Sequence, residues 1–234
     1  MNLVRPVAQS VAQFGSVVKH DYIDSCSEKV SNFFVFFWRF LCHPREVGTP
    51  FACSAAVGRE ITSLIPDPSD QPHFYLEGGA GNGDLTKHFV KKLGSKDRLD
   101  LVEIDEVFCR ELRRLYGNDS RIHVHNMPIQ DWKPTYKYDA VVVSIPLNAL
   151  PTPDILRKVL DAYVDLTKEG GILSGVEYIG TSTLKGWTVF GEKSRAFQQV
   201  VKMKKDFFDT YCFDKVKVWQ NLPPARVMHC KISK

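Results

Sequence analysis

Phe74-Tyr75-Leu76-Glu77-Gly78-Gly79-Ala80-Gly81-Asn82-Gly83 is the segment around which the rest of the chain can be organised. Four residues of buried-strand character end in an acid, and glycines follow at alternate positions 79, 81 and 83. Leu85, Phe89 and Leu93 then recur at helical spacing, with Gly94 just past them, which predicts a strand, a tight turn and a helix with its cap. Glycine lets the backbone turn sharply and approach a ligand with no side chain between them. The helix start offers unpaired N–H groups and a positive dipole end. In open α/β sheets, ligands bind at this end of the strands. The dinucleotide fingerprint requires a further glycine where Asp84 stands, so that reading fails.

Downstream, short apolar runs alternate with amphipathic ones. Strands are expected at 99–103, 122–125, 139–144 and 172–178, and helices at 107–116 and 154–168, with Gly170-Gly171 as the turn out of the latter. The run 139–144 is apolar on both faces, as a central parallel strand should be. A helix over 193–211 then leads to two strand-like runs, 215–222 and 225–232, split by Pro223-Pro224. These are expected to pair as an antiparallel hairpin at a sheet edge. Upstream, residues 1–70 read as a helical leader: one helix over 24–42 ended by His43-Pro44, a second over 54–65 closed by Pro66-Asp67-Pro68, and a linker over 65–72. The expected class is α/β, a mostly parallel sheet with helices on both faces, over 71–234.

With 234 residues, 44% hydrophobic and 25% charged, the chain suits one globular domain. Its most apolar run, 33–42, is about half the length of a membrane span and contains Arg39. The start lacks a secretory layout, so a cytoplasmic protein is expected. None of the six cysteines forms a Cys-x-x-Cys pair, so reduced thiols and no metal site are expected. From Lys185 onward eleven Lys and Arg face four acids, so the net charge of +4 divides into +7 there and −3 before it. Such a basic third suits anionic lipid headgroups or nucleic acid, or is a solvated helix face at 202–205.

The order Glu-x-Gly-x-Gly-x-Gly resembles motif I of class I S-adenosylmethionine-dependent methyltransferases, whose Rossmann-like sheet ends in an antiparallel hairpin. The resemblance implies that Glu77 helps hold the cofactor's methionine ammonium and that Gly78, Gly79, Gly81 and Gly83 line it. Val102-Glu103-Ile104-Asp105 is similar to the family's second motif, with Glu103 on the ribose hydroxyls and Asp105 capping the next helix. Asn126 and Met127 stand where many members carry an Asp-Ala pair beside the adenine; Asn126 can still pair with the adenine amino group. Ser144 follows the fourth strand, at the cofactor and the acceptor.

Three further stretches, 40–50, 144–151 and 221–227, are similar to bacterial phospholipid N-methyltransferases. This implies methylation of an amine on a lipid such as phosphatidylethanolamine, or on another apolar acceptor. Motif I departs from that group at Gly78 and Ala80, where Leu and Pro are commoner. The aromatic stretch Phe33 to Leu41 either packs as a lid over the domain or lies in a membrane interface, which would make the protein peripheral on an anionic inner membrane face. A more distant resemblance, to rRNA adenine dimethyltransferases, makes nucleic-acid adenine N6-methylation the alternative. Those enzymes stack a loop aromatic on the extruded base, and Leu147 stands at that position, leaving Trp132 or Trp187 to substitute. A non-catalytic methyltransferase-like binding module is the third reading. For catalysis the candidates are Tyr178 and Ser144, with His125 behind them. Nothing in the residues sets an oligomeric state.

Overall fold

The computed structural model describes residues 53–150, 152–179 and 192–233. The expected helix over 24–42, the aromatic stretch and Trp187 lie outside the described residues.

Seven strands form one sheet in the order β3-β2-β1-β4-β5-β7-β6. They are β1 (Phe74–Gly78), β2 (Arg98–Glu103), β3 (Ile122–Asn126), β4 (Tyr138–Val143), β5 (Thr167–Tyr178), β6 (Cys212–Val218) and β7 (Ala225–Lys231). The first five run parallel, and β7 pairs antiparallel with both β5 and β6. The expected class and terminal hairpin are therefore present. Because β1 lies between β2 and β4, strand order reverses beside it, and its carboxyl end is where an open α/β sheet takes a ligand.

Alternation along each strand feeds two cores. Leu76, Val102, Val141 and Val143 pack with Leu156 and Tyr163 of α4 (Pro153–Leu166) and with Val200 and Phe208 of α5 (Glu192–Tyr211). On the other face Tyr75, Leu99, Leu101 and Val142 meet Val57 and Ile61 of α1 (Ala55–Ile61), Phe89 of α2 (Thr86–Val90) and Leu112 of α3 (Glu106–Tyr116). Burying each such side chain contributes roughly 1.5–3 kcal/mol. Caps set the helix starts: Ser54 for α1, Asp105 for α3, and Thr152 followed by Pro153 for α4.

Several boundaries differ from expectation: β5 starts at Thr167 rather than 172, and β6 spans Cys212–Val218 rather than 215–222, which leaves 219–222 to the turn. α1 stops at Ile61 rather than 65. α2 is a single short segment, and the Gly94 N–H donates to Asp97 Oδ2 at 2.7 Å, so Gly94 sits in a loop closed by that carboxylate. α4 ends at Leu166, where the Thr167 hydroxyl donates back to Tyr163 O at 2.7 Å and the chain enters β5 at once. Gly170, with φ 74°, then lies in an irregularity of β5, where pairing with β4 shifts register.

A buried carboxylate ties β2, β3 and β4 together. Asp100 has no exposure and accepts from Arg98 through Nε and Nη2, from His125 Nε2 at 2.7 Å, and from the hydroxyls of Tyr136 and Tyr138 at 2.8 and 3.0 Å. Burial alone would raise its pKa; these donors outweigh burial and hold it well below the usual carboxylate range.

On α5 the lysine-rich run is matched by acids: Lys202 with Asp206, Lys204 with Glu177, Lys205 with Asp209. Lys202 and Lys205 are exposed, as the solvated-face reading expects, whereas Lys204 is buried and turns inward to β5. No helix of the described residues is long and apolar enough to cross a membrane.

Candidate cofactor site

The glycine turn leaves β1 with Gly79, Gly81 and Gly83 at φ of 82°, 54° and 82°. Each is in the left-handed region, where a Cβ costs roughly 1–2 kcal/mol. The Gly79 N–H donates to Val102 O at 2.7 Å and the Gly83 N–H to Ala80 O at 3.0 Å, so the turn is pinned to β2 and to itself. Gly78 is small for another reason. A Cβ there would lie 2.3 Å from the Tyr163 hydroxyl, which instead donates to Gly78 O. Tyr163 thus fills the space that a larger residue at 78 would need.

Glu77 is fully buried and accepts from Thr86 Oγ1 at 2.6 Å and Ser144 Oγ at 3.2 Å. Burial pushes its carboxyl up to about 8, and the two hydroxyls only partly offset this. Glu103 is 2% exposed and accepts from the Gly81 N–H at 2.9 Å and the Asp105 N–H at 2.8 Å; burial pushes it up to about 7. Among the described residues no cation pairs with either acid. A ligand carrying positive charge and hydroxyl donors would supply what both lack. The sulfonium, ammonium and ribose of S-adenosylmethionine meet that requirement, so the residues fit the cofactor.

The remaining predicted residues converge on the same edge. Asn126 ends β3 and donates through Nδ2 to Glu103 O at 3.1 Å and Ile104 O at 2.9 Å, so an adenine N–H could meet only its Oδ1. The Met127 N–H donates to Glu103 O at 3.0 Å. Ile104, 53% exposed, offers an apolar surface next to Glu103. Ser144 continues β4, and its N–H donates to Gly78 O at 3.0 Å. Tyr178 is the last residue of β5, with its hydroxyl 3.4 Å from Cys53 Sγ.

Sequence reasoning missed Thr86 and Cys53. Thr86, a hydroxyl at the start of the helix after the turn, could have been found by asking what satisfies the buried Glu77. Cys53 carries no such signal. Burial raises its thiol to about 11, so it stands beside Tyr178 as a neutral group. His125 is not in the site; it is held by Asp100 and packed at a tilt against Trp132, with ring centroids 3.9 Å apart. Trp132 donates to the Tyr138 hydroxyl at 2.8 Å and is likewise committed to packing. Leu147 is 7% exposed within the core rather than presented to an acceptor.

Comparison with known proteins agrees with this geometry. A methyltransferase-domain profile matches residues 76–171, from β1 into β5. An ornithine lipid N-methyltransferase of Singulisphaera acidiphila is 22% identical over 203 residues, covering 86% of this chain and 97% of that protein. Among solved structures, the N-methyltransferase NodS of Bradyrhizobium japonicum with S-adenosylhomocysteine shares the fold at TM-score 0.56 and 17% identity, over 77% of this chain and 89% of that one. The 1,6-didemethyltoxoflavin-N1-methyltransferase of Burkholderia thailandensis does so at TM-score 0.61 and 14% identity, over 92% and 94%. Residues 76–171 thus match a methyltransferase domain, and the sheet order and the glycine turn with its two buried acids indicate an S-adenosylmethionine-dependent methyltransferase.

Proposed function

We propose that the enzyme methylates the amine of a lipid, such as an amino-acid lipid or phosphatidylethanolamine, or of a comparable apolar molecule. The observation that carries this reading is the likeness to an ornithine lipid N-methyltransferase along nearly its whole length. The loop after β4 supports it. With Leu147 buried and Trp132 locked to Tyr138, neither of these two side chains offers a platform for an extruded base. Residues 71–234 act as the cofactor-binding domain, with α1 packed into its core through Val57 and Ile61.

In this account Glu103 receives the ribose hydroxyls, Glu77 faces the ammonium, and the turn from Gly78 to Gly83 lines the cofactor. Ile104, Asn126 and Met127 border the adenine. Bound S-adenosylmethionine supplies an electrophilic methyl on its sulfonium. The chain's own part is alignment and exclusion of water. The acceptor must arrive as a neutral amine, because its lone pair forms the new N–C bond as the C–S bond breaks. Burial around Tyr178 and Cys53 disfavours an ammonium there. The Tyr178 hydroxyl accepts a hydrogen bond from an amine N–H and aims the lone pair, and the carbonyl and hydroxyl of Ser144 border the same path.

Methyl-labelled cofactor incubated with the enzyme and either mixed lipids or rRNA tests the assignment. Label is expected in the organic-soluble amino lipid. Label confined to RNA would overturn the acceptor proposed here.

A further inference from the structure

The turn joining β6 to β7 holds two large apolar side chains in water. Trp219 and Leu222 are 65% and 68% exposed, the highest values among large apolar residues of the described chain. The turn is firmly built. Asn221, 3% exposed, donates through Nδ2 to Pro223 O at 2.7 Å and accepts the Ser54 N–H at Oδ1 at 2.8 Å. Pro224 O accepts the Ile179 N–H at 2.8 Å. Two apolar side chains are thus presented on a rigid support, where a connecting turn ordinarily carries polar groups.

Topology fixes where the turn lies. Ala225 pairs with Tyr178 of β5 and with Val218 of β6, so the turn sits at the carboxyl edge of the parallel strands, beside Tyr178. Charge follows the same pattern. Lys217 Nζ lies 5.9 Å from the Trp219 ring centroid; Arg226, its cross-strand partner, pairs with Glu177 at 4.0 Å. Lys202, Lys204 and Lys205 of α5 are matched by acids, whereas Lys217 has no acidic partner among the described residues. An indole and a leucine at a protruding tip, with a lysine just behind, is the arrangement that suits the boundary between acyl chains and phosphates. Two side chains are far less than the roughly 800 Å² per partner of a stable protein interface.

We propose that this turn anchors the enzyme to an anionic bilayer: Trp219 and Leu222 enter the headgroup boundary, and Lys217 meets the lipid phosphates. The inference rests on the lipid-acceptor reading and adds how the acceptor edge reaches its substrate. Flotation of the full chain with vesicles tests it, using phosphatidylcholine alone or with phosphatidylglycerol added. Binding is expected to the anionic vesicles and to weaken with salt. Partitioning should fall about tenfold in Trp219→Ala and further in the Trp219→Ala/Leu222→Ser double variant, with affinity for S-adenosylhomocysteine unchanged. Equal flotation of the double variant and the parent, or no flotation of the parent, would overturn the proposal. So would a concentration-dependent dimer, abolished by the double variant, in a chain that ignores vesicles. Flotation is independent of turnover, so the two readings fail separately. Intact vesicle binding without lipid labelling would sink the acceptor assignment alone. Labelling of detergent-dispersed lipid without vesicle binding would sink the anchor alone.

Discussion

Acidification should weaken cofactor binding through Glu103, and the size of the effect follows from its surroundings. In the free enzyme this carboxyl is buried, faces no cation among the described residues, and sits at about 7. Ribose hydroxyls donate to an ionised carboxylate with both oxygens available; a protonated one loses acceptor capacity and keeps its proton only at the ligand's expense. With a pKa near 7, about nine-tenths of the molecules are ionised at pH 8 and about one-tenth at pH 6. Affinity for S-adenosylhomocysteine should therefore fall about tenfold between those values, or about 1.4 kcal/mol. Glu77, at about 8, adds to the drop to the extent that it ionises beside the ligand's ammonium. Calorimetric titrations at pH 6.5 in phosphate and in Tris should differ in heat by the release of a proton to the buffer. Glu103→Gln should bind more weakly and lose most of its share of the pH dependence. Equal affinity at pH 6 and pH 8, or tighter binding in acid, would refute the reasoning.

The same raised values bear on stability. A folded chain that keeps protons its unfolded form releases above about 4.5 loses stability as pH rises towards 7 for Glu103 and 8 for Glu77, so the free enzyme should melt lower at pH 8 than at pH 6, and added S-adenosylhomocysteine should narrow the gap. Asp100 has the opposite sign. Its depressed pKa contributes stability above about 3.8 that is lost in stronger acid, and Asp100→Asn should cost about 3–5 kcal/mol in urea unfolding at pH 7 by leaving Arg98 without its buried partner. Gly58→Ala would bring a methyl within 2.2 Å of the His88 ring, so α1 should dock less well, at a cost of about 1–3 kcal/mol that His88→Ala in the same chain recovers; an unchanged urea midpoint in the single variant would contradict this.

The parts legible in the sequence were those with a local signature. The alternation of apolar runs gave the strands, the glycines at 79, 81 and 83 gave the turn, and Asp105 announced itself as a cap. Helix ends were less legible because they depend on tertiary partners. Thr167 closes α4 by bonding back to Tyr163, and Gly94 answers to Asp97 rather than to a helix. The Asp100 network was invisible for a plain reason: its donors stand at 98, 125, 136 and 138, a spacing with no period. Within the site, the acids and glycines could be named from one motif, but Thr86 could be identified only once Glu77 was known to be buried. The departure at Gly78 became intelligible only when Tyr163 was seen above it.

A crystal structure with S-adenosylhomocysteine bears on all of this at once. The account predicts the nucleoside over the bend of residues 78–83, with both ribose oxygens within hydrogen-bonding distance of Glu103 and the amino group turned towards Glu77. Ligand density elsewhere, or a ribose that does not touch Glu103, would contradict it.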